Sequence, residues 1–153
     1  MFDSTVNELK KYSMNKHKDA EDHLTLDELI VLSKNSFHKD QPIREAAAYL
    51  VKEKCTGLSV VNSEGELVGF LSEKDCLEHM FNDVLNKAPL GSVGDYMTKD
   101  VITFRRDSGL YNVIENFISK PYQVYPIIEG KKNIGYVNRR DILGALIVKG
   151  ENL

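Results

Sequence analysis

Apolar positions along this chain follow a helical rhythm, then short apolar runs, and then repeat the whole series. From Ile43, apolar residues recur at Ala46, Ala47, Leu50 and Val51. That i, i+3, i+4, i+7, i+8 spacing marks one face of an α-helix. Leu58 to Val61 forms a short apolar run, a polar turn covers Asn62-Ser63-Glu64-Gly65-Glu66, and a second run leads to Gly69. Two such runs around a glycine-bearing turn predict a β-hairpin. Cys76, Leu77 and Met80 then begin another helix. The second series has Leu110, Val113, Ile114, Phe117 and Ile118 at the same helical spacing, and Tyr125-Pro126-Ile127-Ile128 as the run before its turn. Its closing helix carries Ile142, Leu143, Leu146 and Ile147.

The two series align residue by residue. Phe37-His38-Lys39-Asp40 matches Phe104-Arg105-Arg106-Asp107 at an offset of 67, which holds as far as the hairpin. There the first copy has one residue more, and the offset becomes 66. Insertions belong in such turns. Gly69-Phe70-Leu71-Ser72-Glu73-Lys74-Asp75 thus faces Gly135-Tyr136-Val137-Asn138-Arg139-Arg140-Asp141. Upstream, Thr25-Leu26-Asp27-Glu28 matches Ser92-Val93-Gly94-Asp95, each a hydroxyl three residues before an acid, the pattern of a helix capping box. Each copy therefore reads as short helical turn, strand, helix, strand, hairpin, strand, helix. The division is residues 1–24 as a helical and flexible segment (Phe2, Val6 and Leu9 on one face), 25–86 as the first repeat, 87–91 as a linker with Pro89 and Gly91, and 92–149 as the second repeat. A repeat of this period is one supersecondary unit used twice, neither copy burying its apolar face alone.

Composition narrows the function. A chain of 153 residues buries roughly 70% of its unfolded surface. Its net charge of −3 gives no basic footprint for nucleic acid. No apolar run approaches the ~20 residues of a membrane span, and Asp3 and Glu8 argue against a secretory signal. Cys55 and Cys76, two thiols without metal-type spacing, fit a reducing cytoplasm. His17, His23, His38 and His79 stand apart from any thiol or carboxylate at catalytic spacing, and no phosphate-binding glycine loop occurs. These features predict a cytoplasmic protein that is not an enzyme, with no metal and no obligatory cofactor.

The duplicated G-h-h-S/T-x-x-D ending of a helix-strand-helix unit resembles the CBS domain, named after cystathionine β-synthase. Two copies in tandem resemble the Bateman module of that family, and Met97-Thr98-Lys99-Asp100-Val101 is similar to the family's usual opening. The likeness covers about Thr25 to Lys149. It implies an α+β fold in which each copy packs a small sheet against helices, with two β-α-β-β-α-type repeats about a pseudo-two-fold axis. It further implies clefts for adenosine-containing ligands, dimerisation into a flat disc, and a regulatory role.

Carried onto this chain, the resemblance assigns the ribose hydroxyls to Asp75 and Asp141, each preceded by Ser72 or Asn138. A carboxylate on a vicinal diol makes two charge-assisted hydrogen bonds. Either pair also reads as a plain helix cap. Asn138 departs from the family's Ser/Thr. The adenine wall falls on Ile30, Asn35, Cys55, Thr56 and Gly57 in the first copy, and on Thr98, Ile102, Tyr122, Gln123 and Val124 in the second. The family's frequent basic positions are here Thr56, Gly57, Gln123 and Val124, none basic. The remaining cations are Lys54, Lys74, Arg139 and Arg140, of which Lys74 and Arg140, directly before the aspartates, match a family position that reaches phosphate. Setting each aspartate against its own copy's wall, the Arg140 fork predicts that a phosphorylated nucleotide prefers the Asp141 cleft and that a nucleoside discriminates little.

The expected function is a stand-alone sensor binding AMP, ADP, ATP or adenosine, forming a homodimer and signalling to an effector protein in another chain. The alternative is a dimeric scaffold of the same fold whose clefts hold no ligand.

Overall fold

The computed structural model describes residues 24–151. The predicted N-terminal helical face lies outside them. The first repeat contains α1 (Leu26–Leu29), β1 (Val31–Leu32), β2 (Phe37–His38), α2 (Ile43–Glu53), β3 (Gly57–Val61), β4 (Leu67–Ser72) and α3 (Glu73–Leu85). The second contains α4 (Val93–Tyr96), α5 (Leu110–Ser119), β5 (Val124–Glu129), β6 (Lys132–Asn138) and α6 (Arg139–Glu151). The fold is α+β, with two small sheets and six helices among the described residues.

Each sheet is built on one of the predicted hairpins. The turns close at Gly65 (φ +77°) and Gly130 (φ +62°), left-handed positions that glycine occupies without strain. The strands of each hairpin pair antiparallel, and both ladders shift register at equivalent points, between Val60 and Val61 and between Ile127 and Ile128. β2 joins β3 in parallel, with Phe37 opposite Val60. In the second repeat this edge is a single bridge, Phe104 to Ile127. The strand expected near the start of each copy is therefore two two-residue strands in one and isolated bridges in the other. Each opening segment touches a sheet edge briefly before turning into the next helix.

The repeats exchange their opening segments. β1 of the first repeat pairs with β6 of the second, Val31 opposite Tyr136 and Leu32 opposite Gly135. Thr98 of the second repeat bridges Phe70 of the first. These contacts are the same pair of positions under the repeat. The cores follow suit. One comprises Phe37, Ile43, Ala46, Leu50, Leu58, Val60, Leu71 and Cys76, closed by Val93 and Tyr96 from α4. The other comprises Phe104, Val113, Ile114, Phe117, Tyr125, Ile127, Val137 and Ile142, closed by Leu26 from α1. The hairpins also meet directly: Leu67 N–H donates to Lys131 O (2.9 Å) and Asn133 N–H to Gly65 O (3.1 Å).

Two expectations need correction. Val51 is 79% exposed, because it lies about 80° around α2 from Ile43 at 100° per residue, off the edge of the buried stripe. Thr25 makes no side-chain cap bond, whereas Ser92 N–H and Oγ both donate to Asp95 Oδ2 (2.9 and 3.2 Å).

Candidate functional site

The glycines that open the repeated motif explain how the halves meet. A Cβ on Gly135 would lie 2.2 Å from Val31 O, and one on Gly69 would lie 2.9 Å from Thr98 O. Both distances are backbone clashes, so hydrogen atoms at these positions admit the other repeat's opening segment. That crossing places each motif aspartate beside residues of the opposite copy.

At Asp75 the capping box forms as the sequence suggests. Ser72 N–H donates to Asp75 Oδ2 (3.1 Å), and Asp75 N–H donates to Ser72 Oγ (3.0 Å). Thr98 Oγ1, from the second repeat, donates to the same Oδ2 at 3.4 Å. At Asp141 the Asn138 side chain performs both tasks. Its Oδ1 accepts from Asp141 N–H (2.7 Å) and its Nδ2 donates to Asp141 Oδ2 (2.8 Å). The position equivalent to Thr98 is Val31, which has no hydroxyl, so the Asn138 amide supplies the bond to the carboxylate that Thr98 supplies at Asp75. In both cases the side-chain hydrogen bonds fall on Oδ2.

Two adjoining clefts result, sharing Thr56, Phe70, Gln123 and Val124. The Asp75 cleft, of about 580 Å³, brings Ser72, Lys74 and Asp75 together with Thr98, Ile102, Tyr122, Gln123 and Val124. The Asp141 cleft, of about 770 Å³, brings Asn138, Arg140 and Asp141 together with Asn35, Cys55, Thr56 and Gly57. Both volumes suit a small ligand. The pairing of each aspartate with its own copy's wall is therefore incorrect. The walls are crossed, because the opening segments are crossed. Tyr122 belongs with Asp75, not with Asp141. Ile30 packs against the second core instead of lining either cleft.

Several wall residues are held in place. Asn35 Nδ2 donates to Tyr49 Oη, Cys55 Sγ–H donates to Gly57 O (3.2 Å), and a Cβ on Gly57 would strike the Phe70 ring at 2.5 Å. Sequence reasoning gave Phe70, Ser33 and Tyr49 no place in the clefts, and counted Lys54 and Arg139 only among the cations remaining for phosphate. Among these, Phe70 was within reach, since it sits inside the repeated motif. The thiol of Cys76 lies in the first core, and burial, with Asp75 and Glu73 nearby, pushes it up to about 11. His38 sits beside Asp40 (3.6 Å) on the surface.

Paired α+β half-domains with exchanged opening segments and two clefts at the seam define the class. The chain belongs to the CBS domain family, whose pattern matches residues 27–82 and 93–148. Inosine-5'-monophosphate dehydrogenase of Nitrosopumilus maritimus is 30% identical over 108 residues, 70% of this chain and 21% of that enzyme. An uncharacterised 17.7 kDa protein of Acidianus ambivalens is 28% identical over 106 residues, 69% of this chain and 62% of its own length. The chain thus spans less than two thirds of both relatives. Among solved structures, CBSX2 from Arabidopsis thaliana superposes with a TM-score of 0.72 at 22% identity, covering 84% of this chain and 98% of that one. A structure of CBSX2 in complex with AMP gives 0.71 at 23%, covering 83% and 99%. The CBS pair of MJ0100, in complex with 5'-methylthioadenosine and S-adenosyl-L-methionine, gives 0.67 at 24%, covering 82% and 98%. These likenesses describe the fold. CBS pairs are in general regulatory modules rather than enzymes. No helix among the described residues is long and apolar enough to cross a membrane.

Proposed function

We propose that this chain is a regulatory module that binds an adenosine-containing ligand (AMP, ADP, ATP or adenosine) in the clefts between its repeats. The observation that carries this reading is the pair of crossed clefts, each lined by a motif carboxylate whose hydrogen bonds to the protein fall on Oδ2. A ribose diol gains two charge-assisted hydrogen bonds there, while Tyr122 and Ile102, or Cys55 and Gly57, cover the base. The AMP complex of CBSX2 and the adenosyl complexes of MJ0100 are consistent with it. Because each cleft draws on both repeats, occupancy alters how the halves sit together, and that change is the signal passed to a partner chain. Such a response needs differential affinity for two conformations. Cys55 and Cys76, both free thiols, favour a cytoplasmic setting.

The proposed assembly is a homodimer through α3 and α6. Leu77, Phe81, Val84 and Leu85 on α3 are 59–74% exposed, and Leu143 and Ile147 on α6 are 59% and 56% exposed. Patches of this kind mark interfaces. On the same helices Cys76 and Ile142 are buried, and Met80 and Leu146 pack on the cores, so they lie outside this face.

Thermal unfolding with adenosine, AMP, ADP, ATP, NAD and S-adenosylmethionine tests the reading. A ligand at ten times its Kd adds about 1.4 kcal/mol, a rise of roughly 3–6 °C for a domain of this size. No rise with any of the six rejects the sensor in favour of a scaffold without ligand.

A further inference from the structure

We infer that the Asp141 cleft reads phosphate and the Asp75 cleft refuses it, so that the two clefts take adenosine ligands of different charge. The inference rests on the adenosine reading above and names the ligand class of each site.

The Asp141 cleft is lined by Lys54, Arg139 and Arg140, with Asp141 as its single carboxylate. The Asp75 cleft is lined by Glu73, Asp75, Glu78 and Asp100, with Lys74 as its single cation. This asymmetry sits at equivalent positions of the repeat. Glu73 answers to Arg139, Asp100 to Ser33, and Pro121 to Lys54, each difference making the Asp141 cleft more positive. A nucleoside monophosphate carries up to two negative charges, and cations lining one cavity attract it together.

Lys54 is the one cation of this cleft that comes from the first repeat. It stands at the C-terminal cap of α2 with φ +52° and ψ +41°, a left-handed conformation in which glycine is the unstrained residue. A lysine held there lines the cleft. Lys87 has a similar positive φ (+53°) just after α3 and lines neither cleft, so the position of Lys54 in the cleft, not its backbone conformation, bears on the ligand. Its Nζ and the Arg140 guanidinium are assigned here as the phosphate-binding groups of the Asp141 cleft. Tyr122, 47% exposed and lining the Asp75 cleft, supplies an aromatic face there, so an unphosphorylated adenosine settles against Asp75.

Calorimetric titration with AMP and with adenosine, at low and at raised salt, tests the division. The proteins are the wild type, Lys54→Gln/Arg140→Gln, Asp75→Asn and Asp141→Asn. In the double variant AMP is expected to bind about tenfold more weakly, since two exposed charge contacts are each worth up to ~1 kcal/mol, while adenosine is unchanged. Asp141→Asn loses AMP, Asp75→Asn loses adenosine, and salt weakens only AMP. Both substituted cations are exposed, and a melting curve of each variant verifies its fold. Equal AMP affinity in the double variant, or AMP lost only in Asp75→Asn, overturns the division while leaving the adenosine reading intact. A wild type that binds neither ligand overturns that reading, and the division with it.

Discussion

Individual side chains in the proposed module serve folding and ligand at once, and substitutions separate the two. Lys54→Gly relieves a left-handed lysine, a strain of roughly 1 kcal/mol. The melting temperature is expected to rise by about 2–4 °C while AMP affinity falls. A destabilised variant, measured by calorimetric melting, counts against the strain. Asp75→Asn keeps an oxygen to accept Ser72 N–H, so its melting temperature moves little. Its proposed ribose contact loses the charge, and adenosine affinity falls about tenfold or more. Unchanged affinity in a titration removes Asp75 from the site. The buried thiol sets a pH response. Cys76 is raised from 9.0 to about 11 by desolvation first, then by Asp75 and Glu73. The folded state favours the protonated thiol, so its contribution is complete below pH 9 and is lost as pH rises from 9 toward 11. Between pH 8 and pH 10.5, the urea midpoint of wild type is expected to fall further than that of Cys76→Val. Parallel declines would show that the thiol is not responsible. At this scale the sequence was readable where chemistry is local. Ser72-x-x-Asp75 announced its capping box three residues apart, but Thr98 reaching Asp75 across 23 residues left no local trace.

Among elements, the decisive contact is β1 lying against β6. Gly135→Ala forces a Cβ to 2.2 Å from Val31 O, and neither backbone can yield without separating the strands. A loss of about 3 kcal/mol is expected, at the upper end of overpacking effects. Gly69→Ala meets Thr98 O at 2.9 Å and the flexible Met97 side chain, so its loss is smaller, about 1–2 kcal/mol. Gly109, with nothing within 4 Å of a new Cβ, is the control, and Gly109→Ala is expected to be neutral. Chemical denaturation ranks the three, and a Gly135 variant as stable as the control would refute the close-approach role. The hairpins and the long helices α2 and α5 were legible because each is set by periodicity within a dozen residues. The exchange of α1 and α4 was not, because Leu26 and Val93 are apolar wherever they pack. Only the two motif glycines hinted that a foreign backbone comes close.

For the molecule as a whole, the crossing decides which residues share a cleft, and the exposed apolar faces are the proposed surfaces of assembly. The repeat made the tandem fold readable, while charge within a cleft depends on contacts that a linear alignment of copies pairs wrongly. Leu143 belongs to both features: it lines the Asp141 cleft and is 59% exposed on the proposed dimer face of α6. A ligand that shifts Leu143 therefore acts on dimerisation, and linkage makes the effect reciprocal. If AMP changes the dimer constant by some factor, dimerisation changes AMP affinity by the same factor. Phe81→Glu/Ile147→Glu places two carboxylates in the apolar faces and is expected to give a monomer at micromolar concentration by light scattering. Its AMP affinity should differ from that of the wild-type dimer by the factor with which AMP shifts the wild-type dissociation constant in a dilution series. A wild type that is already monomeric at that concentration removes the dimer. A dimer whose constant ignores AMP, with a monomeric variant that binds AMP as the wild type does, keeps the interface and removes the coupling through Leu143.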